Sequence, residues 1–276
     1  MPQAPAYPEP VRLSARDNPL LVAVRKLARD PAGYRRSRTV WLEGDHLCSA
    51  AVARALPAAQ AIVCESAWDD IKQPTWRELA AHATRIAIVS DELFKGLSSL
   101  ESPGRIGFLV EHRADEALQE GVDTVVLDRL QDAGNVGTIL RTAAALGVRQ
   151  VAALKGTAAL WSPKVLRAGM GAHFGLHLVE GLEPDQLDTL GVPLLAASSH
   201  AEHALHECPL LAAPCAFIFG HEGQGVSPAL MSRCAAMVRI PQPGGEESLN
   251  VASAAAICLY EIVRQRSGVP PRQSHQ

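Results

Sequence analysis

The sequence predicts an α/β protein with two domains, the second built on a mostly parallel sheet. Short apolar segments of strand length alternate with segments of helix length along the whole chain. After about residue 122 the strand segments are apolar at almost every position, which is typical of parallel strands covered on both faces. At 276 residues the chain can hold two cores, and its 4% aromatic content means that Ala, Val, Leu and Ile must fill them.

The pattern of segments divides the chain into two domains joined by a linker. The first is predicted to be a small α/β sandwich that opens with a helix after Asn18, and the second ends in a long alanine-rich helix. A polar, acidic stretch between them is predicted to be the linker. The predicted bounds are 1–17 for a disordered lead-in, 18–110 for the first domain, 111–121 for the linker, 122–267 for the second domain and 268–276 for the tail.

Composition argues against a membrane protein and against a secreted one. No apolar run reaches the roughly 18 residues of a membrane span, and residues 1–10 lack the charged and apolar blocks of a signal peptide. Six cysteines are scattered without a C-x-x-C pair, which indicates free, buried thiols in a reducing compartment. The sequence therefore predicts a cytoplasmic protein with no membrane partner.

Positive charge is clustered near the N-terminus, although the net charge of the chain is −3. Residues 11–40 carry eight lysines and arginines against two aspartates. Such a cluster is either a solvated helix face or a patch that contacts phosphates, and its bias toward arginine favours phosphates.

Three loops in the second domain follow predicted strands, and the carboxyl ends of parallel strands are where ligands bind. The first loop leads into a helix with Asn135 at its expected N-cap. Arg141 follows six residues later, in an otherwise apolar run. It either extends its side chain to water or points into a cleft, where its guanidinium would offer several fixed donors.

The second and third loops are rich in glycine. Glu222 lies among Gly220, Gly223 and a third glycine, so the backbone can approach a ligand closely. This G-x-x-G-x-G spacing is not the G-x-G-x-x-G of dinucleotide-binding domains, which argues against an ordinary Rossmann enzyme. The third loop lies in the stretch 239–253, which is predicted to be a short strand, the loop and the start of the last helix, with Ser248 as the expected N-cap.

Taken in order, these loops resemble the three motifs of the SpoU (TrmH) family of RNA ribose 2′-O-methyltransferases, in the SPOUT superfamily. The motifs are Asn135-x-Gly137-x-x-x-Arg141-Thr-Ala, Gly220-x-Glu222-Gly-x-Gly225, and Ile240-Pro followed by Ser248-Leu-Asn-Val-Ala. The match extends from about residue 122 to 266, and the first half is similar to the substrate-binding domain of the rRNA-directed members. Ala133 stands where the family usually has proline, which affects the rigidity of a turn and no chemical role.

The resemblance implies an α/β knot, in which the C-terminal segment threads a loop to form a trefoil. It also implies S-adenosylmethionine as methyl donor, no metal, and a homodimer with its active sites near the interface. The positions that match the family's cofactor-binding residues are Gly220, Gly223, Ile240, Pro241 and Leu249.

The same resemblance gives Arg141 the activation of the ribose hydroxyl. Asn135, Glu222, Ser248 and Asn250 would orient the target nucleotide and Arg141. A guanidinium with a pKa above ~12 is a poor base at neutral pH, so an electrostatic clamp on the 2′-oxygen is favoured over a base.

The expected partner is RNA, and the chain is most similar to members that methylate a guanosine of large-subunit (23S) rRNA. A tRNA substrate is the alternative, although tRNA-directed relatives usually lack such an N-terminal sandwich. A non-catalytic RNA-binding protein of the same fold is another, against which the complete motifs argue. A possible metal cluster, formed by His200, His203, His206 and Cys208, lies in a polar connection and is not favoured.

Overall fold

A computed structural model describes residues 8–70, 75–99, 102–113, 117–199, 201–244 and 249–267. The chain divides into two compact units. The first unit combines Met1–Ala114 with Trp161–Phe174, and the second combines Asp115–Leu160 with Gly175–Gln276. The predicted tail, 268–276, and residues 1–7 of the predicted lead-in lie outside the described residues.

The first unit is built on a mixed sheet, which has five strands in the described residues. The strands are β1 (Val11–Leu13), β2 (Thr39–Glu43), β3 (Ala58–Cys64), β4 (Ile86–Val89) and β5 (Ile106–Glu111). Their spatial order is β1-β4-β3-β5-β2, with β1, β4 and β3 parallel and β5 antiparallel to both its neighbours. Gly107 on β5 has no room for a Cβ atom because the Trp41 ring lies across it.

Helices flank this sheet, and the first of them begins where the sequence predicts. The Asn18 side chain caps it by accepting a hydrogen bond from Leu20 N at 3.0 Å, and Pro19 occupies its first turn. The helices are α1 (Pro19–Arg29), α2 (Gly33–Ser37), α3 (Asp45–Ala53), α4 (Glu65–Trp68), α5 (Thr75–Ala80) and α6 (Asp91–Leu97).

Strand β1 corrects the prediction of disorder at residues 11–13, which lie within the predicted lead-in of residues 1–17. It pairs in parallel with β4 at the edge of the sheet. Three residues are too few to show a periodicity, and Val11 is 59% exposed. The order of this segment therefore comes from backbone pairing, which the side-chain pattern does not reveal.

The second unit is built on a parallel sheet, with seven strands over its described residues. The strands are β6 (Thr124–Asp128), β7 (Gln150–Leu154), β8 (His177–Leu182), β9 (Leu194–Ala197), β10 (His203–Ala204), β11 (Ala216–Gly220) and β12 (Ala236–Arg239). Their spatial order is β10-β12-β9-β11-β6-β7-β8. Every residue of β6 and β7 is buried, as their apolar sequences predict. The predicted α/β class with mostly parallel strands is confirmed.

Four α-helices follow in the second half of the described sequence: α7 (Ala133–Ala145), α8 (Pro163–Gly169), α9 (Pro228–Met231) and α10 (Val251–Arg266). Short 3₁₀ turns lie at Ala172–Gly175, Pro184–Leu190, Leu205–Glu207 and Pro209–Ala212. Helices α7 and α10 pack against each other, and α10 also contacts β11. The first and third motifs, which lie at the starts of these two helices, are thereby held in one unit.

Helix α8 packs within the first unit, although its sequence lies inside the predicted second domain, 122–267. It contacts α1 and β2. Aromatic rings form a chain of contacts in the same unit, with centroid distances of 4.7 Å for Tyr34–His112, 5.7 Å for His112–Trp161 and 5.2 Å for Trp161–His173. Periodicity does not show with which sheet a helix packs, so the sequence could not predict that α8 belongs to the first unit. The predicted bounds at 110, 121 and 267 remain predictions.

All six cysteines are free, and five are buried, as their scattered positions predict. Burial raises the pKa of Cys234 to about 11 and that of Cys215 to about 12, so both are protonated thiols at neutral pH. None of the helices in the described ranges combines the length and the apolar character needed to cross a bilayer.

Candidate active site

The two helices that reach the site begin at other residues than the sequence predicts. Asp132, not Asn135, is the N-cap of α7, and its Oδ1 accepts a hydrogen bond from Asn135 N at 2.7 Å. Asn250, not Ser248, is the N-cap of α10, and its Oδ1 accepts from two N–H groups of the first turn at 2.9 and 3.2 Å. Any short side chain with an acceptor oxygen suits this position, so residue type did not decide between close neighbours. Ser248 itself lies outside the described residues.

Glu222 joins the polar groups of the site. Its Oε1 accepts hydrogen bonds from Asp132 N at 3.1 Å and from Asn135 Nδ2 at 3.2 Å, and its Oε2 accepts from Gln131 N at 3.3 Å. The Asn135 amide is thereby oriented so that its Oδ1 accepts from Asn250 Nδ2 at 3.0 Å. Three of the predicted site residues, one from each loop, thus form a single chain of hydrogen bonds.

Hydrogen bonds keep the Glu222 carboxyl group acidic. Burial by itself would raise its pKa, but its own N–H, the Asn135 amide and the N–H groups of Asp132 and Gln131 outweigh burial and lower the pKa below its ordinary value. The group is therefore ionised at neutral pH and serves as a fixed acceptor. The stabilisation it provides is complete above the ordinary carboxyl pKa and is lost as the pH falls through the lowered value.

The loop that carries Glu222 folds back tightly on the end of β11. His221 and Gly225 form an antiparallel bridge, in which Gly225 N donates to His221 O at 2.8 Å. A Cβ atom at Gly220 would overlap the backbone of Gly225 and Val226. Glycine is therefore required at this position for packing of backbone against backbone.

The His221 ring organises the same turn. Its Nδ1 accepts hydrogen bonds from Gly223 N at 3.0 Å and from Gln224 N at 3.3 Å. Only an unprotonated Nδ1 can accept them, so the turn requires the neutral ring with its proton on Nε2. His221 thus stabilises the loop from which Glu222 extends.

Asp128 and Arg129, at the end of β6, form hydrogen bonds that hold the Glu222 loop in place. Neither residue was predicted from the sequence. The buried Asp128 accepts from Ser227 N through Oδ2 at 2.6 Å and from Arg129 Nε through Oδ1 at 3.0 Å. Arg129, with a left-handed φ of 59°, donates from Nη1 to Gln224 Oε1 at 3.0 Å. The signal that could have found them is a charged pair at the end of a buried strand whose central residues are apolar.

Arg141 lies on the exposed side of α7, six residues after Asn135. The opposite side of the helix is buried and includes Val136, Ile139 and Leu140. The Arg141 guanidinium makes no hydrogen bond or ion pair to another residue within the described ranges. It takes no part in the hydrogen-bond chain through Glu222, and its donors face solvent.

The third loop places apolar and polar groups side by side. Ile240 is half-buried and Pro241 exposed, while Leu249, directly before Asn250, is 39% exposed. Gln242 was not predicted as a site residue, yet its Oε1 is buried and accepts no hydrogen bond from the residues that the structure describes. A buried carbonyl oxygen without a donor is costly, which makes Gln242 a candidate acceptor for an N–H group of a ligand.

The histidine-rich connection does not form a metal-binding group among the described residues. His203 belongs to β10 and His206 to the following 3₁₀ turn, while His200 lies outside the described ranges.

Comparison with known proteins gives consistent similarities over nearly the whole chain. A family model described as the SpoU rRNA Methylase family matches residues 123–260. An uncharacterised tRNA/rRNA methyltransferase of Synechocystis is 33% identical over 92% of this chain and 94% of its own length. The 23S rRNA (guanosine(2553)-2′-O)-methyltransferase RlmP of Bacillus subtilis is 31% identical over 82% of this chain and 89% of its own.

Solved structures show the same similarity at the level of the fold. The SpoU methyltransferase AviRb of Streptomyces viridochromogenes, in complex with AdoMet, matches with a TM-score of 0.82 at 26% identity. The match covers 91% of this chain and 99% of that chain, so it includes both units.

Proposed function

This chain belongs to the SpoU rRNA methylase family, and we propose that it methylates a guanosine of 23S rRNA through the site around Glu222 and Arg141. The protein transfers the methyl group of S-adenosylmethionine to a ribose 2′-hydroxyl of rRNA. The base is proposed from the similarity to RlmP, whose name specifies guanosine. The observation that carries the proposed site is the chain of hydrogen bonds through Asn135, Glu222 and Asn250.

Arg141 is the proposed catalytic residue. A ribose 2′-hydroxyl is a weak nucleophile, so the site must orient it and stabilise negative charge as its proton leaves. The exposed side chain of Arg141 ends in a planar guanidinium with several donors, which suits a clamp on the 2′-oxygen or an adjacent phosphate. It does not act as a base, because a guanidinium keeps its proton near neutral pH.

The amides of Asn135 and Asn250 are proposed to orient the target nucleotide. Glu222 fixes the Asn135 amide, and Asn135 in turn fixes that of Asn250, so both side chains are held before the substrate arrives. Ser248 stays in this group by resemblance to the family motif.

The residues of the second and third loops fit S-adenosylmethionine. Gly220 has no side chain to keep a ligand from the backbone of the turn, and Ile240 and Leu249 offer apolar walls. The buried Gln242 Oε1, which has no donor among the described residues, can accept a hydrogen bond from a ligand N–H. When bound, the cofactor would supply an electrophilic methyl group to the 2′-oxygen, with the carbon–sulfur bond broken, S-adenosylhomocysteine as the leaving group and the hydroxyl proton released to water. The proposed cofactor-binding residues are Gly220, Gly223, Ile240, Pro241, Gln242 and Leu249.

The course of the last helix supports the proposal of a trefoil knot. Helix α10 follows β12 but packs on α7, which follows β6 on the far side of β9 and β11. A final segment that returns across the sheet in this way is what a knotted C-terminus requires, although knots are rare.

The first unit is the proposed RNA substrate-binding domain. Because the substrate is rRNA, the proposed location of the protein is the cytoplasm.

A second copy of this chain is proposed to cover an apolar stripe on α10. Ile257 is 41% exposed and Tyr260 58% exposed, and their spacing of three residues places both on one side of the helix. Leu249, directly before the N-cap Asn250 of the same helix, is also exposed, which supports a dimer with the active sites near its interface.

The dimer predicts a specific change on substitution of the stripe. The protein should sediment as a dimer at micromolar concentration, and Tyr260→Glu should shift it to monomer because a buried charge opposes association. Met231→Glu, at an exposed position of α9, is the matched control and should remain dimeric. A monomeric wild-type protein would contradict the proposal.

The substrate is tested with methyl-labelled S-adenosylmethionine and total RNA from cells that lack the protein. We expect label in large-subunit rRNA, at a guanosine whose 3′ linkage resists alkaline cleavage because cleavage needs a free 2′-hydroxyl. Label in tRNA would favour the alternative substrate. RNA binding without any label would identify a non-catalytic RNA-binding protein of the same fold.

A further inference from the structure

Helix α8 presents a basic face on the first unit. Its residues Val165 and Leu166 are buried against this unit, where the helix contacts α1 and β2. Lys164 and Arg167, three residues apart, are exposed on the same side of the helix. The basic character of the first unit is therefore not confined to residues 11–40, in which the sequence predicts it.

Helix α1 has the same construction. Its apolar residues Leu21, Val24 and Leu27 are buried, and Lys26 and Arg29 are exposed in its last turn. The exposed faces of two helices in contact thus carry two cations each. We name these four residues, Lys26, Arg29, Lys164 and Arg167, the α1–α8 basic surface.

The side chains of the α1–α8 basic surface make no ion pair or hydrogen bond to any residue that the structure describes. Two other arginines of the N-terminal cluster already form ion pairs. Arg12 pairs with Glu65 and Asp69, and Arg36 pairs with Asp30. A phosphate at Arg12 or Arg36 would compete with a carboxylate for the guanidinium, whereas the α1–α8 basic surface has no carboxylate partner among the described residues.

We propose that the α1–α8 basic surface binds the phosphate backbone of the substrate rRNA. The inference rests on the proposed function and specifies where the first unit contacts RNA. Lysine and arginine suit phosphate oxygens, and each phosphate contact releases condensed counterions, which supplies much of the affinity for RNA. Side chains on helices read an RNA duplex chiefly through its backbone, so this surface confers affinity and position rather than base specificity.

The contribution of α8 separates this proposal from the sequence-based one. If the phosphate-binding patch were limited to residues 11–40, Lys164 and Arg167 would not contribute to RNA affinity. These two residues lie more than 120 residues further along the chain. The α1–α8 basic surface instead requires residues from both halves of the sequence.

The test measures the affinity of the full chain for a 23S rRNA transcript as a function of salt. Lys164→Gln/Arg167→Gln and Lys26→Gln/Arg29→Gln should each weaken binding by roughly 10- to 100-fold at low salt. Each should also reduce the slope of log affinity against log salt by about 1 to 2, because two phosphate contacts are lost. S-adenosylmethionine affinity and the melting temperature should be unchanged, since all four side chains are exposed.

Arg12→Gln/Arg36→Gln is the charge-matched control, for which we expect a less than threefold loss of RNA affinity. An equal loss in the control and the α8 pair would overturn the proposal, as would an unchanged salt slope in the α8 pair. The readout is independent of methyl transfer. A protein that methylates rRNA normally with the α8 pair replaced would refute this surface alone, whereas one that binds through it without methylating would refute the proposed function alone.

Discussion

Arg141→Ala is expected to lower kcat for methyl transfer by at least about 1,000-fold, which corresponds to roughly 4 kcal/mol of transition-state stabilisation. In the proposed mechanism, the guanidinium supplies donors where negative charge develops on the 2′-oxygen. Single-turnover methylation of an rRNA transcript with labelled S-adenosylmethionine measures the effect on the chemical step. Arg141→Lys should recover only part of the rate, because an ammonium keeps the charge but not the planar fork of donors.

The fold should tolerate the loss of Arg141. The side chain is exposed and has no partner within the described part of the chain, so the free energy of unfolding should change by less than about 0.5 kcal/mol. Arg149→Ala is the matched control, because Arg149 is also exposed but precedes β7 at the amino edge of the sheet, away from the loops. Turnover near the wild-type rate in Arg141→Ala would show that the clamp is elsewhere.

Gly220→Ala is expected to abolish measurable binding of S-adenosylmethionine, with an affinity loss of at least about 100-fold, or roughly 2.7 kcal/mol. A Cβ atom here overlaps backbone atoms of Gly225 and Val226, and backbone cannot move aside as a flexible side chain does. The loop must shift, and with it Glu222 and the amide of Asn135. Isothermal titration with the cofactor, in the absence of RNA, measures the effect.

Gly96→Ala is the control for this substitution. Gly96 lies in α6 with open space around its Cβ position, so alanine should leave cofactor affinity unchanged and stabilise the helix by about 0.5–1 kcal/mol. Unaltered cofactor affinity in Gly220→Ala would contradict the tight packing of the Gly220 turn.

The sequence was sufficient for the parts of the fold that repeat a pattern. The buried strands β6 and β7 are apolar at nearly every position, and parallel strands must bring their carboxyl ends to one edge, so the meeting of Glu222, Asn135 and Asn250 was predictable. The sequence could not predict which residue caps a helix. Asp132 and Asn135 are equally suited by residue type, and only the three-dimensional course of the loop selects Asp132.

Features that depend on a distant partner were also beyond the sequence. Val11–Leu13 becomes a strand only because β4 offers an open edge, and α8 has the same periodicity whichever sheet it packs with. Arg129 and Gln242 were missed because their importance depends on the folded structure. Arg129 has a left-handed backbone conformation, and the side-chain oxygen of Gln242 is buried. The role of Arg141 stays a prediction of the family motif, supported by its exposure.

The hydrogen bond between Asn135 and Asn250 joins residues 115 positions apart. During synthesis from the N-terminus, β6 and β11, the strands that precede Asn135 and Glu222, can pair before residue 250 has left the ribosome. Asn250, the third residue of the hydrogen-bonded group, cannot join them at that stage. Contacts of such high sequence separation form late, since a long loop must close before they contribute. A chain synthesised only as far as the residues before Asn250 is therefore expected to lack the third side chain of this hydrogen-bonded group.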